Sequence, residues 1–269
     1  MVSAADRAKG PARSSVWLDD KRDRSRRQAQ PAGLDRAKIV EATVRLLDSE
    51  GAARFSMRRL AAELDVTAMS VYWYVDTKDD LLELALDSVF ATVRVPDASP
   101  PQEWREQLRA LAATYRAALV RHPWASSLIG TFLNIGPHSM AFARSVQQVV
   151  HNTGLPPQGQ RGALAAVLQF VYGFGTVEGH FIQRCRTAGM TQDEFVRQAM
   201  ATVEAEPSLR GNFENMADVM EAHGAETVPQ MRDQDFDCAL ELLMAGIEAM
   251  VAREGARPEA TGPGGRAGD

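Results

Sequence analysis

The chain has 269 residues, 45% of them hydrophobic, enough to bury a sizeable core as one large or two ordinary domains. A formal charge of -5 excludes a protein that coats nucleic acid with a uniformly basic surface, so any such contact has to be local. Two cysteines, Cys185 and Cys238, are too few for a disulfide framework or a cysteine-based zinc site; they read as small core residues in a reducing compartment, and the lack of a signal-like or membrane-length apolar run predicts a cytoplasmic protein without a membrane partner.

Taken in chain order, residues 1–33 carry eight Lys/Arg against four Asp and few large apolar groups, the composition of an open basic tail with a net charge of +4. A tail of this kind either is merely solvated or reaches phosphates as an electrostatic arm. From Asp35 to Glu50 two apolar stripes, Val40/Val44/Leu47 and Ile39/Thr43/Leu46, predict a helix that Gly51 stops. Ser56 is placed to cap a short second helix bearing Leu60, Ala61 and Leu64. After a tight break at Asp65-Val66, Thr67 caps a third helix through Tyr74, and a fourth begins near Asp79 with Leu82, Leu86, Val89 and Val93 at helical spacing. "VPDASPP", Val95 to Pro101, reads as the joint to a second, larger helical unit running to about residue 253. Within it, 163–182 and 236–251 are the strongest apolar segments, Thr191 caps a helix after "TAGM", and residues 254–269 form a Gly/Pro-rich tail. The expectation is an all-α protein.

Three short helices, the second and third joined by a tight turn, make a helix-turn-helix, whose third element enters a DNA major groove. Ala61, Leu64, Val66 and Val71 supply the small apolar residues where the helices meet, leaving the other side of the third helix free for base edges. In "SVYWYVDTKDDLL", Tyr72, Trp73 and Tyr74 are adjacent; on a helix they point about 100° apart and cannot share one buried face. Tyr and Trp carry an apolar body with an O–H or N–H at the tip, suited to packing on sugar and donating to phosphate.

"FSMRRLAAELDVTAMSVYWYVDTKDDLLELALD", Phe55 to Asp87, resembles the DNA-binding domain of TetR-type transcriptional regulators, and "VYWYVDTKDDLL" is especially similar to the tetracycline-repressor branch. The resemblance covers about Leu34 to Val93, within a helix-turn-helix domain read over residues 34–94, and implies a DNA surface of Ser56, Arg58, Thr67, Ala68, Met69, Ser70, Tyr72, Trp73, Tyr74 and Lys78. Arg58 matches a base- or phosphate-contacting position, Ala68, Met69 and Ser70 match base-facing ones, and Tyr72, Trp73 and Lys78 match backbone contacts. Tyr74 stands where those repressors have histidine and could face DNA or protein. Ala68 and Met69 depart from the amide and proline found there, so the operator sequence is not inherited. Asp65 occupies a turn site often held by glycine, which Asp tolerates better than most residues. Residues 34–94 hold eight Lys/Arg and eleven Asp/Glu, a net charge of -3, which suggests modest non-specific affinity.

A reader of palindromic half-sites needs a dimer face. On "FDCALELLMAGIEAMV", Phe236, Leu240, Leu243, Ile247 and Met250 form one apolar stripe, and Ala239, Leu242, Gly246 and Ala249 a second, smaller one; the first is assigned to the dimer interface. The segment resembles the last helix of the family's ligand domain, which with the helix holding "FVYGFGTVEGHF" implies a four-helix bundle between protomers. "RHPWASSL", "NIGPH" and "VYGFG" resemble segments of the tetracycline-repressor-like C-terminal domain. Trp124, Phe132, Asn134, His138, Phe142, Phe170, Phe174 and Glu178 have the character of an apolar effector pocket with a few polar groups. No nucleophile elbow, phosphate loop, HExxH or paired-histidine spacing occurs, so neither an enzyme nor a resident cofactor or metal is expected, and "YGFGTVEG" reads as close helix packing rather than a dinucleotide fingerprint. The sequence therefore points to a homodimeric repressor that binds an operator on double-stranded DNA and is released by a small hydrophobic or aromatic effector. The alternatives are an activator or ligand-independent regulator of the same fold, or a helical scaffold without DNA function.

Overall fold

The computed structural model describes residues 15–18, 34–94, 101–206 and 226–255, and every regular element among them is helical. Helix α1 (Arg36–Glu50) starts where the Asp35 carboxylate accepts the Lys38 N–H at 2.7 Å and stops at Gly51, whose φ of 78° lies in the left-handed region. It buries Ile39, Ala42, Thr43, Leu46 and Leu47. Val40 and Val44, on the other predicted stripe, are only half-buried and line a cleft toward the C-terminal half.

Helix α2 (Met57–Glu63) is capped by Ser56, and α3 (Ala68–Tyr72) by Thr67, each hydroxyl accepting an N–H three residues on. Between them Asp65 takes φ 53°, the left-handed conformation the turn requires, and the Val66 N–H donates to Ala61 O at 2.9 Å. Helix α3 ends at Tyr72 rather than Tyr74, because the Tyr74 and Val75 N–H groups both fold back on Val71 O, at 3.0 and 3.3 Å. A reciprocal capping box between Thr77 and Asp80 then starts α4 (Lys78–Phe90), one residue before the expected Asp79. Nine of its thirteen residues are buried, including Glu83 and Asp87, so α4 runs as a strut inside the molecule instead of presenting one apolar face.

Beyond residues 95–100 a 3-10 turn (Pro101–Glu103) leads into α5 (Trp104–Arg121), α6 (Pro123–Ile129), α7 (Pro137–His151), α8 (Pro157–Thr187), α9 (Gln192–Ala205) and α10 (Val228–Gly255). The two strong apolar segments lie within α8 and α10, each longer than its apolar stretch. As predicted, Thr191 caps α9, here in a capping box with Glu194. Helix α8 crosses α5 closely at Gly179, where a Cβ would lie 3.0 Å from Leu119 O and 3.2 Å from Val120 Cα, and at Gly175, where it would lie 3.1 Å from Leu119 Cβ, so these two glycines of "YGFGTVEG" serve helix packing, whereas Gly173 faces open space.

Two sequence expectations are corrected by burial. On α10, Phe236, Leu240 and Ile247 are covered by the protomer's own core together with Met244, and Leu243 is half-buried, so that stripe is the intramolecular face. Met250 is exposed and belongs instead with the smaller stripe, where Leu242, Gly246 and Ala249 face outward. Cys185 is buried, but Cys238 is exposed and is no core residue. Of the tail read over 1–33, residues 15–18 are described and pack as a turn on α4; the rest lies outside the described residues, as do 256–269 of the C-terminal tail. No helix among the described residues is long and apolar enough to cross a membrane.

Candidate functional site

The caps and the Asp65 turn fix α3 against α2, with Val71 fully buried in the core. That anchor decides where the neighbouring rings go. Met69, Tyr72 and Trp73 are exposed at 69%, 40% and 53% on the outer side of α3, with Ala68 and Ser70 half-buried beside them and Thr67 at the rim. The Thr67 and Ser70 hydroxyls bond each other at 2.9 Å, which pre-sets two polar groups at the start of the helix. Arg58 is exposed on α2, next to its cap Ser56. Nine of the ten expected DNA-facing residues thus lie at least partly open to solvent.

Tyr74 is the exception. It is buried, and its hydroxyl donates to Leu34 O at 2.7 Å, tying the end of the recognition segment to the start of α1. The ring left undecided by sequence therefore faces protein and is withdrawn from the DNA surface. Lys78 keeps a second role: its Nζ donates to Phe55 O at 2.9 Å and lies 5.5 Å from the Phe55 ring centroid, so one of its three donors braces the loop before α2.

The acidic balance of residues 34–94 also has a structural answer, because three of its carboxylates are engaged away from α3. Asp48, near the end of α1, accepts the Trp124 indole N–H at 2.7 Å and lies 2.7 Å from His122 Nδ1. Asp87 accepts the Ser139 N–H and hydroxyl, both at 2.8 Å, and the His138 N–H at 3.3 Å, so a side chain of α4 caps α7. Gly136 is required there, since a Cβ would overlap the Asp87 carboxylate. Glu83, one turn earlier, holds Ser15 and Val16. None of these roles was read from the sequence; the available signal was two carboxylates, Glu83 and Asp87, at i, i+4 spacing inside an otherwise apolar helix.

The eight expected effector residues do not converge on one cavity. Trp124 and His138 stand at the junction with α1 and α4. Asn134, at φ 52°, is a turn residue whose Nδ2 donates to Ile129 O and Phe132 O at 2.7 and 2.9 Å, with Phe132 packed beside it. Phe142 packs at a tilt in a trio with Tyr115 and Phe90, centroids 5.0 and 5.5 Å away, and burial pushes the Tyr115 phenol above its ordinary pKa. Phe170, Phe174 and Glu178 belong to a second cluster on α8 with Phe236. Its centre is Arg116, which donates to both Glu178 oxygens at 2.6 and 2.8 Å and lies over the Phe174 and Phe236 rings. Burial works against the Arg116 charge, but Glu178 and Asp233 outweigh it and hold the guanidinium above its ordinary pKa. Two cavities beside Tyr115, walled by α4 to α8, are each about 10 Å³, room for about one water. A cleft of about 790 Å³ lies instead between α1 and α4 on one side and His122, Pro137 and His138 on the other. Among the described residues no group of three or more His, Cys, Asp or Glu is placed to hold a metal ion.

A capped helix-turn-helix presenting exposed aromatics, fused through a buried strut to a larger helical body, defines a DNA-binding regulator. Residues 39–85 match the family of bacterial regulatory proteins called tetR, and residues 96–251 match the tetracyclin repressor-like C-terminal domain. An HTH-type transcriptional regulator of Saccharopolyspora erythraea is 34% identical over 243 residues, covering 90% of this chain and 95% of that protein. The HTH-type transcriptional repressor DrrR1 of Streptomyces coeruleorubidus is 31% identical, covering 90% and 87%. Apo ActR from Streptomyces coelicolor shares the fold, with a TM-score of 0.64 and 24% identity over 83% of this chain and 99% of that one. The protein belongs to the TetR family of transcriptional regulators.

Proposed function

We propose that the protein is a homodimeric transcriptional repressor that binds a palindromic operator and is released by a small hydrophobic or aromatic effector. The observation that carries this reading is the division of α3, with Met69, Tyr72 and Trp73 outward and Val71 covered. Exposed large rings on a short, doubly anchored helix are costly in water and suited to a nucleic-acid backbone. The naming of DrrR1 as a repressor supports the direction of regulation.

Dimerisation is proposed through the outward side of α10 with the adjoining α8, where Leu242 and Val177 are exposed at 70% and 64%. Met250, Ala249 and Gly246 continue that side of α10. The effector is proposed to enter the C-terminal body around Tyr115 and Phe142, and Asp87, joined to the first turn of α7, carries the displacement into α4 and so to α3. An effector that favours the non-binding spacing by about 1–3 kcal/mol weakens operator affinity roughly 5- to 150-fold. Gel shift with the DNA upstream of the protein's own gene, titrated with compounds that raise Tm, tests both halves. Falling affinity with a thermal-shift hit is expected; binding that no stabilising compound alters refutes induction.

A ligand-independent regulator of the same fold is the second reading. The closed core favours it, since cavities of about 10 Å³ admit no drug-sized molecule without helix displacement.

A further inference from the structure

Glu83 lies in the middle of α4 and is buried. Among the hydrogen bonds of the described residues, its carboxylate accepts one from the Ser15 hydroxyl and one from the Val16 N–H, the latter at 2.9 Å. Both donors lie almost seventy positions upstream. The Trp17 N–H donates to Ser15 Oγ at 3.2 Å and the Leu18 N–H to Ser15 O at 3.2 Å, so the four residues close into a turn around the contact. Ser15 is buried, and Val16 and Trp17 pack on the core. Trp17 also lines the junction cleft together with Val40 and Val44 of α1, Leu84 of α4, and His122 and His138 from the C-terminal half.

A buried carboxylate is strongly destabilising unless hydrogen-bonded, and removing its partners costs more than the pairing contributes. One turn further along α4, Asp87 caps α7. The strut between the recognition helix and the C-terminal half therefore carries two buried carboxylates four residues apart, one engaged by each flanking part of the chain.

We propose that Ser15–Leu18 is an intramolecular clasp, which satisfies the buried Glu83 carboxylate and sets Trp17 against the domain junction, fixing the angle of α4 between the helix-turn-helix and the C-terminal half. The clasp makes the N-terminal segment part of the transmission path. Its regulatory consequence rests on the repressor reading; its existence does not, and both measurements below are made without DNA.

Hydrogen exchange on the full chain reads the clasp directly. The Val16 and Trp17 amides should exchange at least about ten-fold more slowly than in an unstructured peptide. Exchange at the peptide rate overturns the clasp. A stability cycle reads its cause: Glu83→Leu is introduced into the full chain and into a chain lacking residues 1–18. The truncated chain should have a lower Tm, and Glu83→Leu should raise it while failing to raise that of the full chain, because truncation leaves a buried charge without donors. An equal Tm change in the two backgrounds overturns the proposal. If the truncated chain folds only once Glu83 is replaced, that rescue is the expected result in its strongest form.

Discussion

The helix-turn-helix and the C-terminal body use the same residue types in opposite ways. In the former, Tyr72 and Trp73 are held out in solvent by a helix whose opposite side is nailed down by Val71. In the latter, Phe142 and Tyr115 close on each other and on Phe90, while Phe170, Phe174 and Phe236 close on one another with Arg116 over the last two, leaving cavities of about 10 Å³. An aromatic side chain thus signals a partner only where the backbone prevents it from being buried. The end of a short capped helix does this, because adjacent side chains there point about 100° apart and three adjacent rings cannot all turn inward.

Substitutions can break that comparison from either side. The largest effect is expected at Arg116→Met, which leaves the Glu178 carboxylate buried without its bidentate partner; a loss of about 3–5 kcal/mol should appear in chemical denaturation. Replacing both exposed rings, Tyr72→Ala with Trp73→Ala, should weaken operator binding by about 100-fold, near 3 kcal/mol, with stability changed by no more than about 0.5 kcal/mol. If the double variant unfolds instead, the rings were core and the contrast fails. Leu242→Lys places a charge on the outward side of α10 and should raise the dimer dissociation constant by about ten-fold or more in sedimentation, whereas Phe236→Ala should lower Tm without that shift. Smallest, Tyr74→Phe removes the hydrogen bond to Leu34 O, costing about 1 kcal/mol of stability and leaving operator affinity unchanged.

Local chemistry was legible in the sequence to the degree that it is local. Ser56, Thr67 and Thr191 cap the helices they were expected to cap, and Asp65 takes the left-handed turn, because caps and turns depend on neighbours within four residues. Two apolar stripes on one helix are different. Spacing found both on α10, but which one the protomer buries depends on where α5 and α8 run, and the assignment was reversed for Phe236, Leu240 and Ile247. Tyr74 was undecidable for the same reason, since its partner is a carbonyl forty residues upstream. Glu83, Asp87 and Asp48 were missed because their partners are remote donors, three of them backbone N–H groups, that no local pattern announces. The effector residues were drawn from aromatic content, which does not distinguish a filled core from a cavity that opens.

The central claim is that the outward side of α3 reads a two-fold-symmetric DNA site, and footprinting of the DNA upstream of the gene at low salt tests it most directly. The account predicts a protected palindrome with half-sites about 34–36 Å apart or a multiple of that, lost in the Tyr72→Ala/Trp73→Ala protein and kept in Tyr74→Phe. Uniform protection without a palindrome, or the same footprint from the double variant, would contradict it.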